Sequence, residues 1–297
     1  LRDTHFLDFA IPDLIIVLGP LPTSKTLRKW IEQSNAKRIV IEPRGIKVDP
    51  LSSPSLSFQL EYKFLCKLLL PSHNKEWENV WNIAERNVET KFDQAFEKEL
   101  PCFEGKLTRL LSLHMPCGAS LQVGNSMPVR DLEWFWKPGN DNRKFFGNRG
   151  VNGIDGTLST ALGIAHKSNT PSYLITGELA FLHDSNALLF NQQFKGSLTI
   201  FLINNQGGGI FENLPIVKQP EFEKCFATPQ TVNFSHICKA HGIEFIKATN
   251  WNDTVDYIKN PIDFGIRIIE METDRKTDRK TRQSLLGLTP HPLPGRS

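Results

Sequence analysis

Apolar residues in this chain fall into short dense runs separated by stretches with helical spacing. From Asp13 to Gly19, DLIIVLG is β-branched and apolar on both sides, the pattern of a strand buried in a parallel sheet. PTSKTLRKWIEQ follows, in which Thr23 or Ser24 can cap a helix carrying Leu27, Trp30 and Ile31 at i, i+3 and i+4. RIVIEP reads as a second strand. This β-α-β unit, complete by about residue 50, is too small to stand as a sheet and predicts the end of a larger domain. Residues 50–60, rich in Pro and Ser, read as a loop, and 62–98, charged and punctuated by Trp, as helical connectors.

From about residue 99 a second alternation begins. It opens with a helix around Phe103, Leu107, Leu110 and Leu111, then strand ASLQVG, a helix after SMPVRD, the loop GNRGVNGIDG and helix TLSTALGIAHK. Strand SYLIT, helix FLHDSNALLFNQQF, strand LTIFLIN and loop QGGGIF come next. A helix near 232–241, strand IEFIKA, a helix near 251–258 and strand FGIRIIEM complete it. Strands alternating with helices predict an α/β fold, a parallel sheet with helices on both faces. The repeat TDRKTDRK at 273–280 has no apolar periodicity and reads as solvated and inert. QSLLGLTPHPLPGRS, with its three prolines, reads as a disordered tail over 283–297.

In an open α/β sheet, ligands bind beyond the carboxyl ends of the strands. The residues there are Gly124-Asn125-Ser126, Gly177-Glu178 and Asn204-Asn205-Gln206-Gly207-Gly208-Gly209. Glu178 and Asn205 follow two strands joined by one crossover, so they should meet at one sheet edge. A carboxylate, an amide oxygen and a loop carbonyl are hard donors suited to Mg²⁺ or Ca²⁺ with a diphosphate beside it; alternatively, Glu178 caps the following helix. The segment from Arg149 to Gly156, RGVNGIDG, runs into a helix and either cradles a phosphate there or forms a glycine-rich surface loop. It is not GxGxxG, and the chain holds no GxxxxGK[ST]. Ser126 and Arg130 lie four apart, a pairing suited to a carboxylate or else an N-cap with a solvated arginine. GNSMP is not a nucleophile elbow. His183 and Asp184 read as structural.

Composition narrows the classes. The 297 residues, 39% hydrophobic and 23% charged, suit two packed domains. A net charge of +3 with acids and bases mixed gives no stripe for nucleic acid. No run approaches a membrane span, and the N-terminus lacks the order of a signal peptide. Five scattered cysteines without CxxC fit a reducing compartment. The start at Leu1 rather than Met raises the expectation of a fragment.

GEL at 177–179 and NNQGGG at 204–209 are similar to the metal and diphosphate motif of thiamine-diphosphate enzymes, G-D-[GL] after one strand and N-N after the next. With GNSMPVRDLEWFW, NRGVNGIDGTLSTALGIAH, GELAFLHDSNALL, LTIFLINNQGGGIFENLPI and CFATPQ, residues 10–280 resemble the 2-succinyl-5-enolpyruvyl-6-hydroxy-3-cyclohexene-1-carboxylate synthases of menaquinone and phylloquinone biosynthesis, in their cyanobacterial or plastid form. The resemblance implies the C-terminal part of a central Rossmann-like domain over 1–75, a helical connector over 76–98 and a thiamine-diphosphate-binding domain over 99–282. It implies a transferase that decarboxylates 2-oxoglutarate and adds the resulting carbanion equivalent to isochorismate, as a dimer or tetramer, in a cyanobacterial cytoplasm or a plastid stroma.

Carried over by position, Glu178, Asn205 and the Gly207 carbonyl hold Mg²⁺ (or Mn²⁺) on the diphosphate of thiamine diphosphate, with Asp155 and Gly156 beside it. Ile154 props the cofactor in its bent form, Ile210 and Phe211 line the pocket, and Lys25, Ser126, Arg130 and Arg149 meet substrate carboxylates. The family has Asp where this chain has Glu178, and some relatives have Arg where Thr26 stands, with Arg28 nearby. The family's pyrimidine-binding domain and its activating glutamate are absent from these residues, so the chain alone is expected not to turn over. Two other readings remain: a catalytically dead cofactor-binding or assembly module, and another carboligase such as an acetolactate synthase, which NSMPVRD and GGGIF count against.

Overall fold

The computed structural model describes residues 6–7, 10–51, 53–68, 75–98, 102–139 and 141–287. The chain divides into two compact units, Leu1–Glu97 with Ser284–Ser297, and Lys98–Gln283. In the first, β1 (Leu14–Leu18), β2 (Lys37–Ile41) and β3 (Leu56–Phe58) pair in parallel in that order. Helix α1 (Lys25–Gln33) joins β1 to β2, and the Ser24 hydroxyl caps it by accepting the Leu27 N–H at 3.2 Å. Strand β3 lies in the stretch expected to be loop. Its three side chains are all exposed, so no alternation marks it. Helices α2 (Tyr62–Leu68) and α3 (Lys75–Glu97) follow.

The second unit is built on a six-stranded parallel sheet in the order β5-β4-β6-β7-β9-β8. Its strands are β4 (Ser120–Val123), β5 (Lys144–Gly147), β6 (Ser172–Gly177), β7 (Ser197–Asn204), β8 (Glu244–Lys247) and β9 (Gly265–Glu272). The helices are α4 (Glu104–His114), α5 (Met127–Phe135), α6 (Thr157–Ala165), α7 (Glu178–His183), α8 (Phe234–Ala240) and α9 (Trp251–Lys259), followed by α10 (Arg275–Leu286). Side chains on a strand point alternately to its two faces. Leu198, Ile200 and Leu202 of β7 accordingly pack with Leu158 and Leu162 of α6 and Phe181 of α7. Phe201 and Ile203 pack on the other face with Leu107 and Leu111 of α4. Two apolar layers thus cover the sheet, as the continuous apolar runs required.

Three expectations need correction. The helix foreseen over 181–194 begins at Glu178 and breaks at Asp184, after which a 3₁₀ turn runs over Ser185–Gln193. Asp184 is turned away from helical geometry, and its carboxylate accepts the Ser159 N–H and hydroxyl at 2.7 and 3.0 Å. KFFG, not foreseen, forms edge strand β5, whose exposed side chains leave no buried face to read. The charged repeat is solvated only in part: it opens α10, and its Arg275 and Asp278 are buried, as is Arg282 one turn beyond, while Asp274, Lys276 and Lys280 are exposed. The helix also carries order to Leu286, inside the stretch expected to be tail, while 288–297 lie outside the described residues.

Candidate functional site

Strands β6 and β7 are parallel neighbours in register Gly177↔Ile203, so the residues that leave their carboxyl ends emerge side by side. Glu178 opens α7 and is 2% exposed. Its carboxylate accepts the Gly207 N–H at 2.5 Å and is further held by backbone N–H groups of Asn205 and of Glu178 itself. Burial nevertheless pushes its pKa up to about 7 against those hydrogen bonds. The longer side chain of Glu thus reaches across the crossover and grips the loop after β7. Gly207 can meet it because it sits at φ 139°, where a Cβ would strike the Ala227 carbonyl oxygen. The adjacent Gly208 N–H donates to that same oxygen at 2.7 Å.

Asn205 opens the same loop, 6% exposed. Its Nδ2 donates to Glu104 Oε2 at 3.2 Å, and its Oδ1 is buried without a hydrogen-bond partner. A buried amide oxygen left unmatched has its lone pairs available to a ligand, an ion or water, and this one lies at the carboxyl end of β7. Glu178, Asn205 and Gly207 line a cavity of about 470 Å³. Ser126, Arg130, Arg149, Ile154, Ile210 and Phe211 line it too.

Those six enter from two sides. Ser126 is the residue before α5 and has φ 74°, a sparsely populated backbone region for a residue with a Cβ. Arg130 Nη1 folds back onto the Ser126 carbonyl at 2.6 Å, so the four-residue spacing does bring the two together. Asn125, named from sequence only as following a strand, organises the glycine loop. Its Nδ2 donates to the carbonyls of Asn148 and Gly153, and its Oδ1 accepts from Arg149. Ile210 and Phe211 belong to the 3₁₀ turn Gly209–Asn213 beyond the second loop. Asp155 is exposed, and Gly156, at φ 67°, precedes the first turn of α6; neither is part of the cavity lining. Lys25 is exposed in the first unit, at the first position of α1.

Behind the loop lies a knot of buried charge that sequence reading missed. Arg282 of α10 donates Nε and Nη2 to the two Asp131 oxygens at 2.7 and 2.8 Å. The same Nη2 also donates to Glu104 Oε1, and the guanidinium lies 5.3 Å from the centre of the Phe103 ring. Asp278 accepts the Thr273 hydroxyl at 2.6 Å and the Glu104 N–H at 3.4 Å. One turn earlier, Arg275 donates to the Gln206 carbonyl and to Glu212 Oε1, at 2.9 and 2.8 Å, and pairs with Glu223. Burial raises the pKa of both Asp131 and Asp278, and the charge of Glu104 adds to the effect.

Among the described residues no group of three or more His, Cys, Asp or Glu side chains is placed to hold a metal. The donors at the strand ends are one carboxylate, one unmatched amide oxygen and backbone groups, which suit a hard cation whose remaining positions are filled by a ligand's own oxygens.

Residues 133–271 match the family described as thiamine pyrophosphate enzyme, C-terminal TPP binding domain. Three curated relatives bear the name 2-succinyl-5-enolpyruvyl-6-hydroxy-3-cyclohexene-1-carboxylate synthase. The protein of Trichodesmium erythraeum is 43% identical over 95% of this chain and 49% of its own length. That of Gloeothece citriformis is 41% identical over 97% and 51%, and that of Crocosphaera subtropica 42% over 94% and 48%. The chain spans about half the length of the curated relatives it matches. Its sequence is that of the C-terminal portion of this synthase family, and its six-stranded α/β unit is the thiamine-pyrophosphate-binding domain.

Proposed function

We propose that this chain is the cofactor-holding part of a thiamine-diphosphate-dependent transferase that decarboxylates 2-oxoglutarate and joins its four-carbon remainder to isochorismate. The observation that carries this reading is the meeting of the Glu178 carboxylate and the unmatched Asn205 Oδ1 at the adjacent ends of β6 and β7. These hard oxygens fit Mg²⁺ or Mn²⁺, with the Gly207 carbonyl as a third donor. That carbonyl accepts the Gly209 N–H at 2.9 Å and keeps a second lone pair. A divalent cation also relieves the burial that raises Glu178, by giving its charge a partner.

Bound thiamine diphosphate supplies the electron sink for loss of CO₂. The protein supplies binding, orientation and exclusion of water. Arg130 and Arg149 offer planar guanidinium groups for substrate carboxylates, and Ser126, at a strained turn, lines the same cavity. Ile154, Ile210 and Phe211 form the apolar walls, and Ile154 would be the residue that props a bound cofactor. The N-terminus of α6, preceded by Asp155 and Gly156 next to the lining residues Gly153 and Ile154, would supply backbone N–H groups to a diphosphate. Activation of the cofactor is assigned to a glutamate in the half of the relatives' length that this chain does not span, and the working enzyme to a dimer or tetramer.

Titrating the chain with thiamine diphosphate, followed by tryptophan fluorescence with and without Mg²⁺, tests the reading. Metal-dependent binding is expected, with loss in Glu178→Ala and Asn205→Ala. Absence of binding at saturating Mg²⁺ overturns it. Mixing the chain with the N-terminal half of a cyanobacterial relative should then consume isochorismate; binding without turnover would leave a cofactor-holding module instead of an enzyme.

A further inference from the structure

The amide of Asn205 is held by Glu104, a buried carboxylate that lines the same cavity. An amide side chain is nearly symmetric in shape, and nothing in its bulk decides whether oxygen or nitrogen faces a cavity. Here Glu104 decides it. Its carboxylate only accepts hydrogen bonds, so the group 3.2 Å from Oε2 must be the Asn205 NH₂, which leaves Oδ1 facing away from Glu104 and without a partner. Glu104 is itself fixed at 2% exposure in the first turn of α4. Its other oxygen, Oε1, is taken by Arg282 of α10, which is clamped in turn by both oxygens of Asp131 in α5. Three helices therefore converge on the orientation of one side chain.

We infer that Glu104 is a positioning residue for the metal: it sets the amide of Asn205 so that Oδ1 is presented to the cation, while Arg282 and Asp131 hold Glu104 in place. The inference rests on the metal reading above and adds to it a residue outside the cavity's ligand set. It differs from a plain helix-to-helix anchor, and from a carboxylate that acts on the cation directly from the cavity wall, in that its effect passes through Asn205.

The test uses the whole chain and Mn²⁺ as the probe, its binding in the presence of thiamine diphosphate read by electron paramagnetic resonance. Glu104→Leu should weaken Mn²⁺ by about 10–100-fold, the usual effect of losing a group that orients a ligand. Glu104→Gln, which keeps an acceptor oxygen, should recover part of that loss. If Glu104 acts through Asn205, the double variant Glu104→Leu/Asn205→Ala binds no more weakly than Asn205→Ala alone. Additive losses, or unchanged binding in Glu104→Leu with a normal unfolding transition, overturn the inference while leaving the metal reading intact.

Failure of the unaltered chain to bind Mn²⁺ overturns the metal reading and the presentation to a cation with it. A metal-free readout keeps the orientation itself testable in that case, and also if Glu104→Leu does not fold. The side-chain NH₂ resonances of Asn205, assigned by their loss in Asn205→Asp, should shift in Glu104→Gln. Resonances that stay put show that Glu104 does not hold the amide.

Discussion

The apolar layers of the six-stranded sheet and the charged knot behind its glycine loop are both buried, but they are built on opposite principles. In the layers, the same solution recurs along each strand: Leu198, Ile200 and Leu202 on one face, Phe201 and Ile203 on the other. Each contact is non-directional, its neighbours share the load, and a lost methylene is felt locally. In the knot, Glu104 and Asp131 share the Arg282 guanidinium while Asp278 accepts from Thr273 and the Glu104 N–H, every bond has a direction, and no second group repeats its role. Apolar burial makes the sheet; directed bonds decide which way Asn205 points.

The sharpest way to break this comparison is Arg282→Ala. Removing one partner of a buried ion pair typically costs about 3–5 kcal/mol, because the remaining charges stay buried without compensation. Urea unfolding should register a loss of that order. Replacing Glu104, Asp131 and Arg282 together by apolar residues of similar volume should return most of the stability without returning Mn²⁺ affinity. Recovery of both would show that the knot has no role in orientation. Gly207→Ala comes next, at about 1–3 kcal/mol, since φ 139° suits glycine and the new Cβ meets backbone rather than a movable side chain. Loss of cofactor binding should accompany it in the same fluorescence titration.

A pH scan gives a smaller and more specific contrast. Burial and neighbouring Glu104 raise the Asp278 pKa above its unfolded value of about 3.9. The folded state then holds a proton that the unfolded chain has released. Stability falls as pH rises from about 4 through the raised folded pKa, by at most about 1.4 kcal/mol per pH unit from this group. Asp278→Asn should flatten that part of the profile, and an unaltered slope would place the titration elsewhere. The smallest effect belongs to the core. Ile200→Val should cost about 1 kcal/mol and leave metal binding unchanged.

The same contrast explains what was legible in the sequence. Strands β6, β7 and β9 announce themselves as dense apolar runs, and α6 and α9 through helical spacing or caps, because apolar burial writes a period into the chain. The expectation that Glu178 and Asn205 meet followed from a single crossover; in the structure both line one cavity, and the Glu178 carboxylate accepts the Gly207 N–H. Helix α10 stayed hidden because its inward stripe is Arg275, Asp278 and Arg282, at i, i+3 and i+7. The spacing is helical, but the residues are charged, and a reading based on apolar residues passes over them. Glu104 gave no signal either. Its partner Arg282 lies 178 residues away, and nothing local to either residue predicts the contact.

That distance has a consequence for how the protein is made. At a synthesis rate of about 5–20 residues per second, roughly 9–36 seconds pass between the appearance of Glu104 and that of Arg282, 178 positions later. During that interval the strands and the glycine loops of the second unit are made, while the carboxylates of Glu104 and Asp131 still lack the Arg282 guanidinium. The inferred orientation of Asn205 therefore waits for α10, so the cavity at the strand ends takes its final form only after a helix that follows every residue lining it.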